Sequence, residues 1–313
     1  MRGVRLTGWG AALPDKVVTN LDLETMLDTS DEWIVSRSGI RERHIGGTTS
    51  GLAVTAARAA LERANCTPDD IGILVLATST PDQALPATSS VIQHRLGLPC
   101  GAYDLNAACA GFVYGLVNAA GLIALGTERA LVIGADTMSR IIDWDDRSTA
   151  VLFADGAGAV VLEAADDDSD LLGWDLGADG SLAGLLSADI GGYLQMNGKE
   201  VFRRAVLVMV DSAVRACDQA GMSPADVALL VPHQANTRII AAANQRLGIP
   251  MERTVVNLDR TGNTSSASIP MALAEAADQG RLRRGDLVLF VGFGAGMTSA
   301  SAVLRWHGPG AAP

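Results

Sequence analysis

The sequence predicts an α/β fold assembled from two similar halves, and three observations carry that expectation. Four blocks recur in the same order at nearly constant spacing. TPDDIGILV at 67–75 matches SPADVALLV at 223–231, and RLGLP at 95–99 matches RLGIP at 246–250. RALVIG at 129–134 corresponds to DLVLFVG at 286–292, and DGAGAVVLE at 155–163 resembles GFGAGM at 292–297 followed by ASAVLR at 300–305. One such match could be chance, whereas four in order indicate duplication of a strand–helix unit. The segments 73–77, 131–133, 229–231 and 287–291 are continuously apolar. Strands of that kind are buried on both faces and belong to sheets covered by helices. The composition agrees: 313 residues, 48% hydrophobic, 34 glycines and 4% aromatic residues, the profile of an α/β enzyme with many small-residue contacts. The length suits two domains or one large duplicated unit.

Residues 4–12 read as a first strand ended by Pro14. TNLDLE at 19–24 and DTSDEW at 28–33 read as two capped helix starts, since Ser, Thr and Asp there satisfy the orphan N–H groups of a first turn. RSGIRER at 37–43 reads as a polar, arginine-dense loop, and 52–65 as an amphipathic helix. The acidic turn AADDDSD at 164–170 marks the boundary, dividing the chain into halves 1–165 and 166–313. No long linker separates them, so the halves should pack tightly. Ligands of such folds bind beyond the carboxyl ends of strands.

The segment NAACAGFVYGLVNAAGLIALG at 106–126 stands out. From Gly111 onward nearly every helical face is apolar or small, so this helix must be buried. Its apolar run is too short to span a membrane. Cys109 sits at the amino end, where unpaired N–H groups and the helix macrodipole favour a thiolate, the nucleophilic form. It can equally be a small buried core residue. The duplication makes GNTSS at 262–266 the equivalent helix start in the second half. Two such starts facing each other across a pseudo-twofold bring Asn263 near Cys109. Asn263 can also be a helix cap. His233 follows the strand at 228–231, at the strand-end position where catalytic residues collect; alternatively it is a core histidine bonded to backbone. GFGAG at 292–296 fails as a dinucleotide loop, because the third glycine position falls on Met297 and the segment leads into a strand. A glycine turn beside the thiol suits a loop that presents a backbone N–H to an oxyanion.

Several classes are disfavoured. The net charge of −11 argues against nucleic acid as a general partner. The amino terminus lacks the apolar core of a signal peptide, and no stretch reaches membrane-span length. Cys66, Cys100, Cys109 and Cys217 form no CxxC pair, so neither a disulfide framework nor a metal site is indicated. A reduced, cytoplasmic protein is expected.

Taken together, DTSDEWIVSRSGIRERH at 28–44, AACAGF at 107–112, VPHQAN at 231–236, LDRTGNTS at 258–265 and GFGAG at 292–296 resemble the β-ketoacyl-acyl carrier protein synthase III family. That family comprises the initiating condensing enzymes of type II fatty-acid synthesis. The likeness spans almost the whole chain and implies a thiolase-like five-layer αβαβα fold and a homodimer. It implies that Cys109 is the acylated nucleophile and that His233 and Asn263 bind the malonyl thioester carbonyl. The backbone N–H groups of Cys109 and Ala295 would form the oxyanion hole. Trp33 and Arg147 match the positions that sandwich the adenine of coenzyme A, with Thr29 nearby. Arg37, Phe202 and Arg238 match further pantetheine or nucleotide contacts. Lys199 stands where some members have asparagine. The loop at 83–88 resembles one that reaches the partner subunit's acyl pocket, with Leu85 replacing an aromatic found in some members.

The implied chemistry is ping-pong acyl transfer followed by decarboxylative condensation with malonyl-acyl carrier protein, using coenzyme A thioesters as substrate and no tightly bound cofactor or metal. Carrier proteins of this system are acidic, so Lys199, Arg203, Arg204, Arg238 and Arg246 form a candidate docking patch, or an ordinary solvated helix surface. A thiolase would need a second cysteine late in the chain, and none follows Cys217. A starter-unit condensing enzyme or acyltransferase of a polyketide or other secondary pathway is the alternative.

Overall fold

The first strand, β1 (Gly3–Ala12), is buried along most of its length, with Arg5 and Thr7 only partly so. The computed structural model describes residues 2–166 and 169–308. After β2 (Val17–Thr19) comes α1 (Asn20–Glu24), which opens on a capping box. The Thr19 side chain accepts from Asp22 N, and the Asp22 carboxylate accepts from Thr19 N at 2.8 Å. Helix α2 (Asp31–Ser38) is capped by Ser30 and ends at Gly39, whose φ of 87° the missing side chain permits. The expected arginine loop is therefore largely structured, because α2 runs into it and β3 (Glu42–His44) pairs antiparallel with β2. Arg43 is buried, not solvated, and donates to Val18 O, Asn20 Oδ1 and Val151 O at 3.2, 2.9 and 2.9 Å. Burial lowers its pKa to about 10, so it remains cationic at neutral pH.

Helix α3 (Thr49–Arg63) begins three residues before its expected start. Then come β4 (Ile73–Ala77), α4 (Thr88–Leu96), β5 (Gly101–Leu105), α5 (Gly111–Ala124) and β6 (Arg129–Thr137). The short α6 (Arg147–Ala150) and β7 (Asp155–Ala165) follow. The acidic segment expected as a turn lies partly outside the described residues, at 167 and 168, and after it come β8 (Leu171–Ala178), the short β9 (Leu186–Ser187) and β10 (Gln195–Met196), and α7 (Gly198–Gln219). The chain continues through β11 (Leu229–Pro232), α8 (Thr237–Leu247), α9 (Leu258–Thr261), α10 (Ser268–Asp278), β12 (Leu287–Gly294) and β13 (Thr298–Arg305).

Two large sheets result, ordered β1-β7-β6-β4-β5 and β8-β13-β12-β11, beside the two-stranded pairs β2-β3 and β9-β10. Corresponding neighbours pair alike: β4 with β6 and β11 with β12 are parallel, and β6 with β7 and β12 with β13 are antiparallel. The likeness stops at the edge. Where β5 pairs with β4 over five positions, the second half has a single bridge between Leu230 and Thr254. The matched RLG blocks both end helices, with Gly97 and Gly248 each at φ 70°.

Helices α5 and α10 touch both sheets, while α3 covers the outer face of the first sheet and α7 that of the second. The result is five layers, helix–sheet–helix–sheet–helix. Small residues let the layers approach: a Cβ on Gly134 would lie 2.3 Å from the carbonyl oxygen of Ser266, closer than any side chain allows. No helix among the described residues is long and apolar enough to cross a membrane.

Candidate active site

The two central helices start alike, and the duplication is visible here atom by atom. Asn106 Oδ1 accepts from Ala108 N at 3.0 Å, and Asn263 Oδ1 accepts from Ser265 N at 3.0 Å. Ala108 and Ser265 are both held at positive φ, 49° and 52°. For residues with a Cβ this conformation costs about 1–2 kcal/mol each, so the asparagine bonds help hold strained turns. Each turn continues as a 3₁₀ segment, Ala108–Ala110 or Ser265–Ala267, before its helix begins.

The side chains then diverge. Ser266, at the place equivalent to Cys109, donates its hydroxyl to the buried Asp136 carboxylate at 2.7 Å. Asp136 also accepts from Ser266 N, Thr78 Oγ1, Ser79 N, Thr80 N and Thr80 Oγ1. It thereby ties the second-half turn to the strand ends of the first sheet. Cys109 is left in a cavity, with its Sγ 3.4 Å from Ser265 Oγ. Burial pushes its thiol up to about 12, outweighing the Ser265 bond that acts in the opposite sense. The thiolate expected from the helix start is thus opposed by desolvation, and Cys109 carries its proton at rest.

His233 directly follows β11, and its N–H donates to Val291 O at 2.8 Å. Its ring meets Phe293 edge-on, with centroids 5.2 Å apart. Nδ1 lies 2.7 Å from Ser268 Oγ. Burial lowers its pKa to about 3, so the imidazole is neutral at neutral pH. The next residue, Gln234, is a buried strut: it donates to Pro232 O and Val255 O and accepts from Asn257 N. Asn236 caps α8 and donates to Arg37 O at 2.9 Å. Asn263 has its carbonyl committed to Ser265 N, which leaves the Nδ2 protons as donors. Among the described residues Nδ2 has no acceptor.

The turn after β12 carries Ala295. Gly294 packs against the cysteine turn so closely that a Cβ would lie 2.6 Å from Cys109 N. Among the described residues, no other residue accepts from the Cys109 or the Ala295 N–H, and the Cys109 N–H faces its own sulfur. Backbone N–H groups beside a thiol can receive an oxyanion.

Cys109, His233 and Asn263 share the wall of a cavity of about 500 Å³, which also touches Trp33, Arg37, Lys199, Phe202 and Arg238. The first three are buried and the last five half-buried or exposed, so the cavity leads from the thiol to the surface. Near its mouth, the Arg238 guanidinium lies 5.3 Å from the Phe202 ring. Arg147 lies only 4.7 Å from the Trp33 ring centroid, donates to Asp28 O, and is not part of the cavity wall. A base stacked between the two would need about 7 Å, two contacts of about 3.5 Å. The slot between them is closed in this conformation. Thr29 Oγ1 is buried nearby without a partner among the described residues.

Of the basic group, Lys199, Arg203, Arg238 and Arg246 are exposed, with Arg203 paired to Glu200 at 3.2 Å. Arg204 is half-buried and its Nε is enclosed. Arg246 sits eight residues beyond Arg238 on α8, about 12 Å along the axis. The group therefore spreads over α7 and both ends of α8. Leu85 is 86% exposed. The sequence reading missed Ser265, Ser268, Phe293 and Asp136. The run NTSSAS beside Asn263 was the available signal for the two serines.

Comparison with known proteins follows the same residues. Residues 103–180 match the family model described as 3-oxoacyl-[acyl-carrier-protein (ACP)] synthase III, and residues 217–306 match the one described as its C terminal. The beta-ketoacyl-[acyl-carrier-protein] synthase III of Roseiflexus sp. (strain RS-1) is 50% identical over 321 residues, covering 96% of this chain and 98% of its own. The crystal structure of 3-oxoacyl-(acyl carrier protein) synthase III from Pseudomonas aeruginosa PAO1 aligns over 100% of both chains, with TM-score 0.95 and 47% identity. The priming beta-ketosynthase of the R1128 polyketide biosynthetic pathway aligns with TM-score 0.94 at 37% identity, covering 99% of this chain and 97% of its own.

Proposed function

Because the chain belongs to the 3-oxoacyl-[acyl-carrier-protein] synthase III family, we propose that it condenses an acyl-CoA starter with malonyl-acyl carrier protein through an acyl-Cys109 intermediate. It is an acyltransferase of fatty-acid synthesis. The observation that carries the residue assignment is the single cavity that Cys109, His233 and Asn263 share with Trp33 and Arg37.

In the first half-reaction the Cys109 sulfur attacks the thioester carbonyl. The carbon–sulfur bond to coenzyme A breaks, and the thiol proton leaves with the departing sulfur. The tetrahedral oxyanion is received by the N–H groups of Cys109 and Ala295. In the second, malonyl-carrier protein loses carbon dioxide, and negative charge develops on its thioester oxygen. The His233 Nε2–H and the Asn263 Nδ2–H donate to that oxygen, each worth about 2.7–4 kcal/mol to a developing charge. The carbanion attacks the acyl-enzyme, the acyl–sulfur bond breaks, and a solvent proton restores the thiol.

Trp33, Arg37, Phe202 and Arg238, with Lys199 and Thr29, contact the nucleotide and pantetheine, and Arg147 swings off Trp33 to admit the base. Lys199, Arg203, Arg204 and Arg246 meet the acidic carrier protein. The halves 1–165 and 166–313 contribute the thiol and the two donors respectively. A homodimer fits the outer edge of β5, which ends its sheet, and the exposed Leu85. Four free cysteines fit a reducing, cytoplasmic setting. The second reading, a polyketide starter-unit synthase, rests on the likeness to the priming ketosynthase.

Intact mass after exposure to a panel of acyl-CoAs, then a malonyl-carrier protein chase, tests the reading. One adduct on Cys109, discharged as 3-oxoacyl product, is expected, and the preferred starter separates the two pathways. An adduct that ignores the chase would refute condensation.

A further inference from the structure

Resting on that reading of His233, we propose that Ser268 is a positioning residue that locks the neutral imidazole in its Nε2–H tautomer. The histidine is thereby a donor to the malonyl thioester and unavailable as a base for Cys109.

A neutral imidazole has one donor nitrogen and one acceptor nitrogen, and the partner of one decides the role of the other. Ser268 Oγ lies 2.7 Å from Nδ1, and the Gln234 N–H points at the same oxygen from 3.4 Å. With the oxygen accepting from Gln234, the hydroxyl proton goes to Nδ1, and the ring proton resides on Nε2. In the opposite tautomer the serine oxygen would face two donors, and among the described residues its own proton would have no acceptor. Ser268 is 1% exposed, so water does not rescue that arrangement. Burial also keeps the ring from taking a second proton.

The hydroxyl is not there to start the helix. Side chains make no cap bond at the beginning of α10. The equivalent position in the first half, two residues after Cys109, is Gly111, and α5 begins there without a hydroxyl. What the second half has and the first lacks is a histidine: Ala77 occupies the place matched to His233.

The test uses the full-length protein with Ser268→Ala, Ser268→Thr and, as a control, His233→Ala. Three quantities are read: Cys109 acylation by intact mass, carbon dioxide release from malonyl-carrier protein, and the ring ¹⁵N shifts of His233. Ser268→Ala should acylate Cys109 at an unaltered rate. Its decarboxylation kcat should fall about tenfold at unchanged KM, the effect of one buried hydrogen bond on a two-state ratio. The ¹⁵N spectrum should pass from Nε2–H to a tautomer mixture, and Ser268→Thr should restore both. Wild-type decarboxylation by Ser268→Ala, or an Nδ1–H spectrum in the unmodified protein, overturns the proposal. The spectrum decides even where Ser268→Ala does not fold. Should His233→Ala decarboxylate normally, the assignment of His233 itself falls.

Discussion

Substituting Gly294 with alanine should both slow the acylation of Cys109 and destabilise the protein. The φ of Gly294 is not in the left-handed region, so the obstacle is space. The added Cβ would stand 2.6 Å from Cys109 N, 2.8 Å from Ala108 Cβ and 3.0 Å from Thr298 Oγ1. An ordinary contact is about 3.5 Å, so strand end and cysteine turn must part by about 0.9 Å. The turn cannot give way freely: Asn106 Oδ1 holds Ala108 N, and Thr298 Oγ1 donates to Ala107 O at 2.9 Å. Overpacking of this kind costs about 1–3 kcal/mol of stability. The same movement separates the N–H groups of Cys109 and Ala295, and a displacement of about 1 Å at a reacting centre is worth about a hundredfold in rate. The assay is the single-turnover appearance of the acyl-enzyme by intact mass, beside denaturant unfolding. Gly180→Ala serves as control, since nothing lies within 4 Å of its added Cβ. Acylation by Gly294→Ala at the unmodified rate would refute the close-approach argument and with it the paired oxyanion donors.

Three further outcomes follow from the proton affinities of the site. With the Cys109 thiol at about 12 against the ordinary 9.0, its alkylation by iodoacetamide should rise about tenfold per pH unit without a plateau between about pH 7 and 10; levelling off near pH 9 would mean an unshifted thiol. With His233 at about 3 against the ordinary 6.5, decarboxylation should show no histidine limb between about pH 5 and 8. The depressed value also means that the unfolded chain binds more protons below 6.5, so stability present above 6.5 is lost as pH falls toward 3. At about 1.4 kcal/mol per unit this amounts to about 2 kcal/mol between pH 6.5 and 5, measurable by denaturant titration and absent from His233→Gln.

The duplicated fold was legible because its repeated blocks sit where local physics is strict. Buried strands demand apolar runs, and helix ends demand glycine or a capping side chain, as at Gly97 and Gly248 or at the Pro68–Asp70 and Pro224–Asp226 turns. The edge of the second sheet was not legible, since one bridge to Thr254 leaves no periodic mark. The arginine segment misled for a different reason. Its composition is that of a solvated loop, but the acceptors that let Arg43 be buried lie 25 and 108 residues away.

At the site, residue types and their places at strand ends and helix starts were in the sequence: the cysteine opening one central helix, the asparagine opening its counterpart, and the histidine past a buried strand. What those groups can do was decided only by packing. Desolvation, not its place just before α5, sets the proton on Cys109. A hydroxyl 35 residues from His233 fixes the role of its ring, and Arg147 closes on Trp33 across 114 positions of chain. Pattern and propensity act over a few residues and so survive in one dimension. Burial, proton affinity and hydrogen-bond pairing depend on which distant segments meet, and only the folded chain brings them together.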